Sequence, residues 1–173
     1  MNNFTIIKVD YYKGLKGIYF KKIIKKIITI ANLKDDKKII LDYGCGIKFL
    51  EKTLERKILN FDINPKYSEL QNLNDLYFDD VIFNHILMYM SEEEIKKTLI
   101  NIRLLNRSCF ITVGIGRMSI INRFASWLSL NFSAHSGSKT SPSRQLNILL
   151  EHLDLISKNS VYGMTDIYYF KFK

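Results

Sequence analysis

The sequence predicts a single domain of the α/β class, with helices on both faces of a mostly parallel sheet. Three observations lead to this prediction. The chain has 173 residues, the length of one domain. From Lys38 onward, strand-like apolar runs alternate with helix-like segments, a pattern typical of parallel sheets. A turn with two glycines, in LDYGCG, directly follows the first strand-like run, where α/β sheets commonly bind ligands.

Composition excludes several classes of protein. The chain is 47% hydrophobic and 25% charged, which is ordinary for a globular domain. Polar residues interrupt every apolar tract well short of the roughly 20 residues of a membrane span, and MNNFTIIKVD has no signal-peptide pattern. Cys45 and Cys109 lie far apart without Cys or His neighbours at metal-ligand spacing. We therefore expect a cytoplasmic protein with two reduced cysteines and no metal site.

The first segment is a basic N-terminal helical arm, residues 1–37. Residues 1–38 contain ten lysines and three aspartates, which gives +7 of the net charge of +9. Within the arm, GIYFKKIIKKIITIA predicts an amphipathic helix. Its lysines fall on one side and its apolar residues on the other, namely Phe20, Ile23, Ile24, Ile27, Ile28 and Ala31.

Two interpretations of this helix are open. The isoleucines pack on the domain and the lysines are simply solvated, or residues 18–31 make a peripheral contact with a membrane surface or an acidic partner. Nucleic acid is a further partner that a cluster of lysines can bind.

Residues 38–116 contain the predicted core of the sheet. Strands are predicted in KIILDYG, KILNFDINP, the start of VIFNHILMYM, and CFITVGI. A helix is predicted to start within IKFLEKTLERK. A second helix follows Ser91, because Ser91 and Glu94 have the spacing of a capping box and three carboxylates occupy its first turn.

The turn after the first strand does not suit a dinucleotide. Gly44 and Gly46 give G-x-G, but Phe49 occupies the third glycine position of the G-x-G-x-x-G fingerprint. Asp42 precedes the turn and would repel a pyrophosphate. Asp62, at the end of the second strand, follows Asp42 by 20 positions, which suits a carboxylate that binds ribose hydroxyls. The dinucleotide fingerprint therefore fails, although two carboxylates flank the turn.

The run D-x-G-x-G resembles the first motif of the class I S-adenosylmethionine-dependent methyltransferases, and the resemblance extends over about residues 38–116. It implies a Rossmann-like, seven-stranded, mostly parallel sheet with a C-terminal antiparallel edge hairpin, and S-adenosyl-L-methionine as the cofactor. In this family Asp42 would hold the cationic end, Gly44, Cys45 and Gly46 would lie along the methionyl part, and Asp62 with Ile63 would contact the adenosine.

The stretch NLNDLYFDDVIFNHILMYM resembles the next motifs of the same family. By position, Asn72 would bind the adenine edge, Leu73 would offer its backbone amide, and Asn84 would lie beside the methionyl group. His85 follows Asn84 and is the first candidate for a general base, since a neutral imidazole titrates near working pH. His135, in the loop SAHSGSKTSPS, is the second candidate.

Residues 117–143 are predicted to form a lid, an apolar helix on the acceptor side followed by a flexible loop, and residues 144–173 a helix and a strand pair. The turn after the fourth motif lacks the Pro-Pro-aromatic run typical of base methylation. We expect methyl transfer to a small, apolar or aromatic acceptor. The alternatives are an RNA methyltransferase that uses the lysine-rich arm and a non-catalytic module that binds a partner.

Overall fold

The computed structural model describes residues 14–117 and 138–173, and all statements below concern these residues. In chain order, its helices and strands are α1 (Gly14–Ile30), β1 (Ile40–Tyr43), α2 (Phe49–Leu54), β2 (Leu59–Phe61), β3 (Asp80–Asn84), α3 (Glu92–Leu105), β4 (Phe110–Gly116), α4 (Pro142–His152), β5 (Leu153–Val161) and β6 (Thr165–Phe172). A short 3₁₀ turn, Leu87–Tyr89, lies between β3 and α3.

The strands form one mixed sheet in the order β2-β1-β3-β4-β6-β5. Strands β2, β1, β3 and β4 are parallel, while β6 is antiparallel to both β4 and β5. The predicted antiparallel hairpin at the C-terminal edge is therefore present. Because β2, β1, β3 and β4 run the same way, their carboxyl ends share one edge of the sheet.

Six strands are present in the described residues, one fewer than the seven expected. Between β2 and β3, residues 62–79 form turns and no strand. Two of these turns are closed by side chains: the Asn64 amide donates to Asp62 Oδ1 at 2.9 Å, and the Asn74 amide donates to Asn72 Oδ1 at 2.9 Å. Such Asx turns compete with extended backbone, which explains why this short segment forms no strand.

Helices cover both faces of the sheet, as predicted. Successive residues of a strand point to opposite faces of the sheet. Leu41 and Val81 pack in a core with α3 and α4, whereas Ile40 and Ile82 pack in a second core with α1 and α2. Side chains two positions apart on a strand point to the same face, and Asp42 and Asn84 follow Ile40 and Ile82 by two positions. Asp42 and Asn84 therefore lie on the face that α1 and α2 cover.

Helix α1 packs its apolar side on the sheet. Ile23, Ile24, Ile27 and Ile28 are buried, and Lys21, Lys22 and Lys25 are exposed. Among the described residues, no helix has both the length and the apolar character needed to cross a membrane.

The helices on the other face begin with side-chain caps. The predicted capping box is present at α3, where Ser91 and Glu94 bond each other's backbone amides. Ser141 caps α4 by accepting from the Arg144 amide, and Pro142 occupies the first turn of that helix. Both caps satisfy amides that a helix start leaves without partners.

Candidate functional site

The turn after β1 is fastened to the end of β2. The amides of Gly44 and Cys45 both donate to the Phe61 carbonyl, at 2.7 and 3.1 Å. Gly44 and Gly46 have φ values of 83° and 49°, in the left-handed region that favours glycine. At Gly44 there is also no space for a side chain, because a Cβ would lie 2.6 Å from Cγ1 of Ile86. The turn thus brings β1, β2 and the segment after β3 together.

Lys48 lies two positions after Gly46, in the same turn. The turn accommodates it in two ways. Its φ of 58° lies in the left-handed region, and its ammonium extends to the Glu69 carboxylate at 2.6 Å. Lys57 pairs with the same carboxylate at 2.9 Å, and the pKa of Glu69 falls to about 2 because the two ammonium groups bond it.

Asp42 is deeply buried at this edge of the sheet, with 5% of its surface exposed. Within the described ranges, no hydrogen bond reaches its carboxylate. Burial, together with the smaller effect of the neighbouring charges of Asp62 and Glu51, raises its pKa to about 7. A buried carboxylate of this kind is stabilised by a cation brought to it.

Asp62 is only partly buried, and its carboxylate already accepts two backbone hydrogen bonds. Oδ2 accepts from the Gly46 amide at 3.0 Å and Oδ1 from the Asn64 amide at 2.9 Å. A carboxylate has about four lone-pair positions, so it retains capacity for a ligand hydroxyl. The next residue, Ile63, is 92% exposed, and its apolar surface lies beside this carboxylate in the chain.

Cys45, Asn72 and Leu73 are placed less favourably for ligand chemistry. The Cys45 thiol is buried, contacts the Tyr67 carbonyl at 3.4 Å, and has its pKa raised to about 12 by burial and by Asp42. It is a packed, inert thiol. Asn72 is exposed and its side-chain oxygen closes the turn at Asn74, while Leu73 packs partly against the core.

Asn84 and His85 end β3 at the same edge as Asp42. Oδ1 of Asn84 is buried and has no hydrogen-bond partner among the described residues. A Cβ at Gly114 would lie 3.0 Å from that oxygen, so the glycine in β4 provides its space. His85 has a φ of 59° and donates its amide to the Gly114 carbonyl at 3.1 Å. A non-glycine residue with this φ at a strand end is often functional.

The His85 ring is held by residues that the sequence interpretation did not include. Nε2 lies 3.2 Å from Oγ1 of Thr165 in β6, and Thr165 also bonds the Tyr19 hydroxyl from α1. Phe20 meets the ring edge-on at 6.2 Å. Eighty and 66 positions separate Thr165 and Tyr19 from His85, and no motif links residues so distant in sequence.

The described site includes neither of the other two histidines. His135 and the predicted lid helix lie outside the described residues. His152 ends α4, where its carbonyl accepts from the Lys173 amide, away from the carboxyl ends of the parallel strands. No three His, Cys, Asp or Glu side chains in residues 14–117 and 138–173 are placed to hold a metal ion.

The site therefore combines two carboxylates and an unpaired amide oxygen at the carboxyl ends of three adjoining strands. These acceptors repel phosphate and favour a cationic ligand with hydroxyl groups. A fixed imidazole lies next to them, on the end of β3. The pattern of acceptors suits the ligand type that the family resemblance implies.

Comparison with known proteins gives the fold. No protein-family model matches the sequence, and no curated protein matches it. Among solved structures, the N-methyltransferase NodS from Bradyrhizobium japonicum WM9 superposes with a TM-score of 0.66 at 13% identity, over 90% of this chain and 97% of its own. Magnesium protoporphyrin IX methyltransferase from Synechocystis PCC 6803, with bound SAH, gives 0.62 at 13% identity, over 93% and 90%.

A third similar structure is RosA from Streptomyces davawensis, an N,N-8-amino-8-demethyl-D-riboflavin dimethyltransferase. It superposes with a TM-score of 0.64 at 8% identity, over 91% of this chain and 56% of its own. At these identities the likeness establishes the fold alone. The chain has the fold of the class I S-adenosylmethionine-dependent methyltransferases, as its motifs predict.

Proposed function

We propose that the protein is an S-adenosylmethionine-dependent methyltransferase that acts on a small acceptor. The observation that carries this proposal is the buried Asp42 carboxylate, which lacks a hydrogen bond from the described residues and has a raised pKa of about 7. It lies on β1 of a fold whose solved members bind this cofactor or its product. A buried acceptor of this kind suits the ammonium or sulfonium of the cofactor.

The other predicted cofactor residues fit the same ligand. Asp62 retains lone pairs for the ribose hydroxyls, and exposed Ile63 offers an apolar surface for the adenine face. The unpaired Oδ1 of Asn84 is a second acceptor for the ammonium. Asn72 and Leu73 would contribute to the adenine edge, with the Asn72 side chain turning away from the Asn74 amide to do so.

When bound, the cofactor supplies an electrophilic methyl group on sulfur. The chain's own residues bind and orient the two reactants, since in-line displacement depends chiefly on positioning. The ends of β1 and β3 hold the methionyl part through Asp42 and Asn84. His85 directly follows Asn84, and in this proposal it lies on the side where the acceptor binds.

Ring contacts around His85 favour an aromatic or apolar acceptor. Phe20 lies against His85, and Tyr19 contacts both Phe20 at 5.4 Å and Tyr162 at 6.4 Å between ring centroids. Tyr162 is 60% exposed, so part of this aromatic cluster is accessible. Two similar solved enzymes are named for ring compounds, a protoporphyrin and a riboflavin derivative.

Calorimetric titration with S-adenosylmethionine and S-adenosylhomocysteine tests the proposal directly, with NADH as the control ligand. We expect micromolar binding of both sulfur compounds and none of NADH. An acceptor screen with aromatic and apolar small molecules would follow. If the folded wild-type protein binds neither sulfur compound, the proposal is wrong and the fold serves another purpose.

The basic side of α1 supports one additional contact, with an anionic membrane surface. The exposed Lys21, Lys22 and Lys25 have no acidic partner among the described residues, and α1 contains no acidic residue. Because the isoleucines of α1 pack on the sheet, such a contact would be electrostatic and would not insert the helix. Salt-sensitive binding to RNA but not to vesicles would favour the nucleic-acid alternative.

A further inference from the structure

Two irregular segments meet at the Asp62 carboxylate. One is the glycine turn after β1, residues 44–48, and the other is residues 62–70 after β2, which begin with Asp62 and the exposed Ile63. Neither segment contains a helix or a strand. Their relative position therefore depends on the bonds between them.

An ion pair joins the far ends of these two segments. Nζ of Lys48 lies 2.6 Å from Oε1 of Glu69. Glu69 is itself attached to β2, because its amide donates to the Asn60 carbonyl at 3.0 Å and its Oε2 accepts from Nδ2 of Asn60 at 3.4 Å. At the near ends, the Gly46 amide bonds Asp62. The glycine turn and residues 62–70 are thus connected at both ends.

The backbone of Lys48 indicates that its side chain has a purpose in the turn. Lys48 directly precedes α2 with φ 58° and ψ 43°, a left-handed conformation that costs free energy for any residue with a Cβ. Glycine would adopt the same conformation without this cost. The bond to Glu69 is a contribution that glycine could not make.

The ion pair is partly shielded and keeps its charges. The side chains of Lys48 and Glu69 are 27% and 35% exposed. Lys57, which is 77% exposed, bonds the same Oε1 at 2.9 Å from outside both segments. Because two ammonium groups bond Glu69, its pKa falls to about 2, and the carboxylate stays ionised near neutral pH.

We propose that Lys48 and Glu69 are positioning residues for the cofactor, because their ion pair holds residues 62–70 against the glycine turn before the cofactor binds. This inference rests on the proposed function. With the pair in place, Asp62 and Ile63 are already fixed where the ribose and the adenine would contact them. Less chain is then ordered on binding, which favours affinity.

Amide hydrogen exchange tests the link without any cofactor. Lys48→Met removes the charge and keeps a long side chain, so peptides that cover residues 62–70 should exchange faster than in the unliganded wild type. Lys57→Met removes the other cation at Glu69 and is the matched control, with exchange expected as in the wild type. Unchanged exchange in a folded Lys48→Met protein would overturn the proposal. Equal acceleration by both variants would also contradict it, because the charge of Glu69 rather than the link to the turn would then order the segment.

Calorimetric titration with S-adenosylhomocysteine tests the effect on binding. Lys48→Met should weaken binding by about twofold to fivefold, the range of a partly exposed ion pair. Lys48→Arg keeps a cation and should retain most of the affinity, and Lys57→Met should bind as the wild type does. Lys48→Gly relieves the left-handed backbone, so its urea midpoint should stay near that of the wild type while its affinity falls as in Lys48→Met. A Lys48→Gly protein with wild-type affinity contradicts the positioning role.

A double-mutant cycle shows whether the two residues act through one bond. Glu69→Gln in the Lys48→Met background should lower the affinity no further, because the bond is already lost. Losses that add would contradict the proposal. If the wild type binds neither S-adenosylmethionine nor S-adenosylhomocysteine, the proposed function fails, but hydrogen exchange still decides whether the pair fixes residues 62–70.

Discussion

The backbone amide of Gly46 donates a hydrogen bond to Oδ2 of Asp62 at 3.0 Å. This bond links the turn after β1 to the residue that directly follows β2. Asp62 therefore has two functions in the proposed site. It shapes the glycine turn, and its remaining lone pairs are available to a ribose.

Replacing Asp62 should reduce both stability and cofactor binding. Asp62→Ala removes an acceptor from two amides, and we expect the free energy of unfolding to fall by about 1.5–3 kcal/mol. Asp62→Asn keeps one acceptor oxygen, so its free energy of unfolding should fall by less. Urea unfolding and calorimetric titration with S-adenosylhomocysteine measure the two effects. Asp36→Ala, at an exposed position outside the site, is the control. An Asp62→Ala protein with wild-type affinity would contradict the assignment.

Asp42 should make the stability of the unliganded protein fall as pH rises. The folded protein holds this proton up to a pH of about 7, whereas the unfolded chain releases it near 3.8. Between these values the folded state binds more protons, so the free energy of unfolding decreases with increasing pH. The total decrease is of order 4 kcal/mol at about pH 8. Asp42→Asn should be more stable than wild type at about pH 8 and similar at about pH 4.

The same residue predicts proton release when the cofactor binds. A cation next to Asp42 favours the charged carboxylate and lowers its pKa, so binding at about pH 6 should expel a proton. Calorimetry in buffers of different ionisation enthalpy measures the number of protons released on binding. Asp42→Asn should release none and bind more weakly. Equal proton release by the variant and the wild type would show that a group other than Asp42 releases the proton.

Two glycines of the turn should differ in their tolerance of a side chain. Gly44→Ala combines a positive φ with a Cβ 2.6 Å from Ile86, whereas Gly46→Ala has a positive φ and no atom within 4 Å. We expect Gly46→Ala to cost about 1 kcal/mol and Gly44→Ala distinctly more. Adding Ile86→Ala should recover part of the loss in Gly44→Ala but not in Gly46→Ala. Urea unfolding of the five proteins tests this, and equal costs for both glycines would contradict it.

The fold was predictable because its signals are local. The alternation of strand and helix, the capping box at Ser91 and the C-terminal hairpin each depend on residues that are neighbours in sequence. The described residues form six strands, whereas the expectation of seven came from the family resemblance. Residues 62–79 carry turn-forming Asn and Asp residues that do not form the extra strand.

The candidate site was predictable only where a motif links its members. Asp42, Gly44, Gly46, Asp62 and Asn84 meet at one edge because the carboxyl ends of parallel strands meet there. The surroundings of His85 were not predictable. Tyr19 and Thr165 reach it from α1 and from an antiparallel strand, through contacts that depend on the packing of the whole domain.

Helix α1 should separate into a structural side and a dispensable side. Ile27 is buried against the sheet, so Ile27→Ala should lower the free energy of unfolding by about 2–5 kcal/mol. Exposed Lys22 and Lys25 lack acidic partners among the described residues, and replacing both by Gln should change stability by no more than about 0.5 kcal/mol. The double Lys variant should nevertheless lose any binding to anionic vesicles, measured by co-sedimentation at low salt. If Ile27→Ala instead abolished vesicle binding without loss of stability, the apolar side of α1 would face the membrane rather than the sheet.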